Sequence, residues 1–167
     1  QNTADNNDRS SPVQIPGTTW ATVSCFTYGM IATKTDGTLW AWGQNEYGQL
    51  AQNNKTQYSS PVQVGSGTDW GTLNAAVSRY GINAIKTDGT LWAWGRNTNG
   101  GMGGAPGDRS SPTQIPGTTW KEIAVSDDGT RIACKTDGTM WGWGDNSQGQ
   151  LGQNNETNYS SPKQVPG

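Results

Sequence analysis

The 167-residue chain contains no histidine, two cysteines and a single phenylalanine. Without histidine there is no Ser-His or Cys-His nucleophile pair and no imidazole metal ligand. Two cysteines cannot frame a disulfide scaffold. Cys25 and Cys134 are therefore expected as small, buried, apolar side chains. Charge is also scarce: 11 Lys and Arg face 13 Asp and Glu, a formal net charge of −2. No basic run occurs, which argues against a general nucleic-acid backbone binder, since that needs clustered cations. No apolar run is long enough to cross a bilayer, and no stretch shows the 3.6-residue period of an amphipathic helix. Membrane insertion is not expected. No signal peptide is visible; the chain opens directly on Gln1-Asn2-Thr3-Ala4 and is expected to be processed or part of a longer protein.

What is present is tryptophan, glycine and repetition. Hydrophobic residues make up only 31% of the chain, but nine are Trp and there are 24 Gly. Asn, Thr and Ser are also plentiful, as in short strands joined by many turns. Ten residues, Lys34 to Gly43, recur letter for letter as Lys86 to Gly95. They recur again as Lys135 to Gly144, with Met140 for Leu and Gly142 for Ala. A period of about fifty residues marks a repeat architecture. A second landmark, Ser-Ser-Pro-x-Gln-Val/Ile, starts at Ser10, Ser59, Ser110 and Ser160, and a third is the Trp at positions 20, 70 and 120.

Four short strands per repeat follow from these landmarks. The first is expected at 20–25, 70–75 and 120–125, the second at 30–34, 82–86 and 131–135. Thr-Asp-Gly-Thr then makes a tight hairpin, with Asp-Gly supplying positive φ angles. The third strand is expected at 38–43, 90–95 and 139–144. The fourth is the Pro-x-Gln-Val/Ile segment, starting late and lying at a sheet edge because Pro cannot donate to a ladder. In the third strand Trp40 and Trp42 share one face while Leu39, Ala41 and Gly43 share the other. A bulky face opposite a shallow one lets sheets nest radially, as propeller blades do. Trp20, Trp40, Trp42, Trp70, Trp92, Trp94, Trp120, Trp141 and Trp143 are thus expected to pack blades. The expected fold class is all-β, with three four-stranded antiparallel blades and an overhanging strand at 12–15. The divisions are a lead-in at 1–19 and blades at 20–69, 70–119 and 120–167.

This pattern resembles the regulator of chromosome condensation repeat family. There a Trp and an apolar strand precede Lys-x-Asp-Gly-x-Leu-Trp-x-Trp-Gly-x-Asn-x-x-Gly-Gln-Leu-Gly, followed by Pro-Val-x-Val. The match covers nearly the whole chain. Asn45, Asn97 and Asn146 take the place of the family Asn, and are read as turn formers bonding local backbone. The chain departs from the family in lacking the loop His. Repeats 2 and 3 also have more residues between Trp and Lys, read as a longer loop between strands one and two. Repeat 2 replaces Gln-Leu-Gly by Gly101-Met102-Gly103.

The resemblance implies seven-bladed rings. Three blades would leave two apolar faces open, so copies of the chain, or the remainder of a longer propeller, are expected on them.

No catalytic set, metal site or cofactor is expected. Asp36, Asp88 and Asp137 each precede a turn Gly, and Asp127-Asp128-Gly129 lacks the spaced oxygens of a calcium loop. The run Gly100 to Gly104 lacks the Lys-Ser/Thr of a phosphate loop and is read as a flexible connection. Sequons at Asn54, Asn155 and Asn158 arise readily in so Asn-rich a chain. Recognition is expected where repeats differ, because varied loops are free to bind. The candidates are Tyr28, Tyr47, Arg79, Tyr80, Arg96, Asp127 and Asp128.

The expected function is non-enzymatic: a structural or adhesive recognition module of an extracellular, cell-surface or virion assembly, with protein or glycan as partner. The resemblance also offers two alternatives, an enzyme-inhibiting propeller face and nucleotide exchange on a small GTPase.

Overall fold

The computed structural model describes residues 11–71, 74–104 and 106–167. They form three four-stranded antiparallel meanders. Blade 1 comprises β1 (Trp20–Phe26), β2 (Gly29–Lys34), β3 (Leu39–Gly43) and β4 (Tyr58–Gln63). Blade 2 comprises β5 (Asn74–Val77), β6 (Gly81–Ile85), β7 (Leu91–Gly95) and β8 (Arg109–Ile115). Blade 3 comprises β9 (Trp120–Val125), β10 (Arg131–Lys135), β11 (Met140–Gly144) and β12 (Tyr159–Gln164).

The blades nest bulky face into shallow face. Ile31, Leu39, Ala41 and Leu50 of blade 1 share one buried cluster with Trp70, Ile82, Ala84 and Trp94 of blade 2. Leu91, Ala93, Met102 and Ile115 of blade 2 pack likewise on Trp120, Ile123, Ala133 and Trp143 of blade 3. Each junction is pinned by an indole: Trp94 Nε1–H donates to the Gln49 carbonyl at 2.8 Å, and Trp143 Nε1–H to the Gly101 carbonyl at 3.0 Å. The backbone N–H of Trp70 and of Trp120 also donates to the turn carbonyl of the blade before, Gly37 and Gly89.

Several expectations are corrected. The hairpin turn carries a positive φ at Gly37 (80°) but not at Asp36. Lys34 N–H bonds the Thr38 carbonyl and Gly37 N–H the Lys34 carbonyl, a type I turn closed by a glycine bulge. The outer strands do not start late; β4 begins three residues before Pro61. Between the pairs Ala41–Val62 and Gly43–Tyr58, residues Ser59, Ser60 and Pro61 oppose Trp42 alone. Pro thus sits in a bulge where no ladder donor is needed. Residues 12–15 form no strand, because no inner strand stands beside them among the described residues.

The extra residues of repeat 2 do not lengthen its first loop. Val77 pairs with Ile82 as Cys25 pairs with Met30, so the same four residues intervene. The insertion falls instead between Trp70 and β5, where residues 72 and 73 lie outside the described residues; the expected strand at 70–75 is displaced to Asn74–Val77. The glycine run is not a free loop: Met102 is fully buried within it, and Gly104 N–H bonds the Ser160 carbonyl of blade 3.

The cysteines are not buried either; Cys25 is exposed and Cys134 intermediate. Their counterparts Val125 and Ile85 pack into the junction between blades 2 and 3. Cys25 and Cys134 lie on the two faces that no blade covers among the described residues.

Candidate functional site

In an antiparallel meander the first-to-second and third-to-fourth connections emerge at one end, and the Asp-Gly turns at the other. The variable loops of all three blades therefore share one rim. Asn45 and Asn146 brace the long third-to-fourth loops. Asn45 Nδ2–H donates to the carbonyls of Asn54 and Thr56, while its Oδ1 accepts from Leu50 N–H. Asn146 repeats this arrangement on Asn155, Thr157 and Leu151. These loops are thus rigid platforms.

On this rim most of the expected recognition residues converge. Tyr47 from blade 1 packs against Tyr80 from blade 2, ring centroids 4.9 Å apart and planes tilted by 59°. The Arg96 guanidinium lies 5.0 Å from the Tyr47 ring and 5.3 Å from that of Tyr80. Arg79 lies 5.0 Å from Tyr80, and its backbone N–H donates to Asp127 Oδ1 of blade 3 at 2.7 Å. Asp127 and Asp128 line the next hollow along, with Arg79, Tyr80 and Arg96.

Tyr28 stands apart. It occupies in blade 1 the place of Tyr80 in blade 2, but no preceding blade supplies a partner ring among the described residues. It is 60% exposed. Within each blade, Trp20, Trp70 and Trp120 each contact the two Trp of their own third strand.

One residue of this rim was not expected. Arg131 lines the hollow between blades 2 and 3, a pocket of ≈ 520 Å³. It is 2% exposed. The ion pairs among the described residues are Lys55–Asp108 (3.7 Å) and Lys86–Asp69 (3.0 Å), and Arg131 is in neither. Its Nε is buried without a hydrogen-bond partner. Burial lowers the guanidinium from its ordinary 12.5 to about 10. The signal was in the sequence. Counting back four residues from Lys34, Lys86 and Lys135 gives Met30, Ile82 and Arg131, a cation in an apolar column.

The comparisons agree with this architecture. The model of the regulator of chromosome condensation (RCC1) repeat matches residues 36–71, 88–131 and 137–167. The chain belongs to the RCC1 repeat family. Among curated proteins it is 35% identical over 86 residues to the ultraviolet-B receptor UVR8 of Arabidopsis thaliana, covering 51% of this chain and 20% of that protein. It is 32% identical over 94 residues to protein RCC2 of Homo sapiens, covering 55% of this chain and 18% of RCC2. The chain thus spans about a fifth of the length of these relatives.

Among solved structures, human WBSCR16 superposes with a TM-score of 0.78 at 23% identity, over 98% of this chain and 45% of that one. Prp20p of Saccharomyces cerevisiae gives 0.77 at 16% identity, over 89% of this chain and 39% of its own. These two likenesses are of fold. The relatives correct the expected placement: RCC2, UVR8 and Prp20p are nuclear or cytoplasmic proteins, not components of an extracellular or virion assembly.

Proposed function

We propose that this chain is the protein-recognition portion of an RCC1-type propeller, non-enzymatic, binding a partner protein through the rim that carries Tyr47, Tyr80, Arg79 and Arg96. The observation that supports it is the tyrosine pair itself. Loops from two blades, well separated in sequence, deliver two half-buried tyrosines and two exposed arginines to one patch, with the Tyr47 loop braced by Asn45. Tyr and Arg are the side chains that most often dominate protein interfaces, and fixed geometry reduces the entropy lost on binding. Glycan adhesion and a structural role outside cells lose their motive with the extracellular placement.

The published description of Prp20p concerns binding to Gsp1p and histones. Gsp1p and histones are therefore the first probes. Immobilised chain would be titrated with each, alongside the double variant Tyr47→Ala/Tyr80→Ala and a control, Lys121→Ala, at an exposed position of β9 that lies outside the rim hollow. Binding that weakens at least tenfold in the double variant and not in the control supports the rim. Partner binding undiminished in the double variant overturns it.

A further inference from the structure

The hollow between blades 2 and 3 holds a second feature of the same rim. The junction between blades 1 and 2 shows what packing alone asks for. There Ile82 takes the column position of Arg131 and Gln49 the repeat position of Gly101, both fully buried. Gln49 also works locally, its Oε1 accepting from Tyr47 N–H at 2.8 Å.

At the next junction both positions change together. Arg131 replaces the apolar residue and Gly101 replaces the glutamine. A Cβ on Gly101 would collide with the Arg131 guanidinium, and one on Gly81 would lie 3.0 Å from its Nη2. The guanidinium thus occupies the room that Gln49 fills at the other junction. It takes over none of that residue's hydrogen bonding.

An apolar side chain there would satisfy the fold, as Met30 and Ile82 do in the same column. A desolvated cation without a partner costs stability unless something neutralises it. Arg131 has no hydrogen bond or ion pair of its own side chain among the described residues, although aspartates stand near. Asp127 is held by Arg79 N–H, and Asp145 by Asn99, Ser147 and Gln150. The Asp127 and Asp145 carboxylates are thus engaged elsewhere, and neither they nor the Asp128 carboxylate form an ion pair with Arg131.

We propose that this hollow is a socket for one carboxylate, with Arg131 as its buried anchor and Arg79 and Arg96 at its mouth, filled by an aspartate or glutamate side chain of the partner protein. The proposal rests on the reading of the rim as a protein-binding face. A planar, five-donor guanidinium fixed between two glycines matches a carboxylate's paired oxygens. The three arginines of the lining are offset by Asp127, Asp128 and Asp145. The lining therefore has no net charge, which disfavours a dianionic phosphate or a polyanion and leaves a single carboxylate to be held by the local donors of Arg131.

The test is a titration of the full chain followed by the Nε–H NMR resonance of Arg131. The probes are acetyl-glutamate amide, acetyl-glutamine amide and inorganic phosphate. The carboxylate should shift the resonance saturably, at least tenfold more tightly than glutamine or phosphate. Arg131→Met, which installs the side chain found at position 30, should abolish this binding and raise the melting midpoint.

No saturable shift with the carboxylate, tighter binding of phosphate, or unchanged carboxylate binding in Arg131→Met would each overturn the socket. So would a lower melting midpoint in Arg131→Met, which would make the cation a packing element. The isolated probe reads the socket without the tyrosine pair. Failure here with partner binding intact therefore sinks the socket and leaves the rim, whereas loss of partner binding in Tyr47→Ala/Tyr80→Ala with the probe still bound bears on the rim itself.

Discussion

In every copy of the ten-residue repeat, a chain of contacts starts at the aspartate. Asp36 Oδ1 accepts from the amide and hydroxyl of Thr38, whose oxygen in turn accepts from Trp40 Nε1–H at 2.8 Å. Asp88–Thr90–Trp92 and Asp137–Thr139–Trp141 repeat it. Lys34 Nζ lies 4.0 Å from the Trp40 ring and 5.0 Å from that of Trp20, closing the loop of contacts as a cation over aromatic faces.

The threonine hydroxyl first, then its amide, holds each aspartate below the ordinary 3.8. A carboxylate depressed in the fold contributes stability that is fully present above pH 3.8 and is lost as pH falls through the lower folded value. The triple variant Asp36→Asn/Asp88→Asn/Asp137→Asn should therefore show a flatter acid limb in melting midpoints recorded from about pH 5 to about pH 2. An unchanged limb would show that the turn carboxylates do not govern acid stability. Asp-Gly was legible as a hairpin. That only the glycine takes positive φ was not, because the turn type depends on a bulge that the letters do not mark.

At the scale of strands and their junctions, the same column reads differently by blade. Val23 is 62% exposed and its counterpart Ile123 is 7%. Trp94 and Trp143 are wholly buried, whereas Trp42, in the same place of blade 1, is only half-buried. Trp94→Ala should cost about 3–5 kcal/mol, the usual loss for an emptied aromatic site. Trp42→Ala should cost about 1–2 kcal/mol, in proportion to the area it hides. Urea denaturation of the two variants compares them, and equal losses would contradict the nesting.

The Arg131–Gly101 exchange gives a sharper case. Gly101→Gln alone should destabilise by forcing a side chain into the guanidinium. Combined with Arg131→Met it should recover, with a coupling of about 1–3 kcal/mol in a double-mutant cycle. Additive losses would mean that the two positions do not share the space. Strand order and facing were legible from period-two alternation and the repeated landmarks. Where β5 begins was not, since two inserted residues can enter either before a strand or in its loop. The reach of β4 past Pro61 was also hidden, because a bulge lets proline stand inside a paired strand.

The described residues form three blades in series, with one face of blade 1 and one of blade 3 uncovered among them. Blade 1 presents its bulky face, where Trp20, Val23, Met30, Ala32 and Trp42 line an apolar hollow. Blade 3 presents a shallow face carrying Met140, 45% exposed. The two internal junctions show what such faces accept: another blade's complementary face. The 17.8 kDa chain studied alone should therefore associate, bulky face to shallow face, and give a light-scattering mass above that value at micromolar concentration. A monodisperse monomer would refute this, and Val23→Lys should reduce association. The proposed rim was legible only in part. Variation among loops made Tyr47, Tyr80, Arg79 and Arg96 candidates, but only the fold brings Tyr47 across to blade 2. Arg131 went unread because it lies in a strand, not in a loop.

The half-covered indole of Trp42 makes the open face of blade 1 report on its own covering. Indole emission moves to shorter wavelength as water leaves the ring. Trp94 and Trp143 at the internal junctions are already dry, whereas Trp20, Trp40, Trp92 and Trp141 are partly exposed like Trp42, so Trp42 should supply one share of the long-wavelength emission and of the fraction open to iodide quenching. When a blade docks against it, that share should be lost without any added label. Ring closure could then be timed by fluorescence in the unmodified protein.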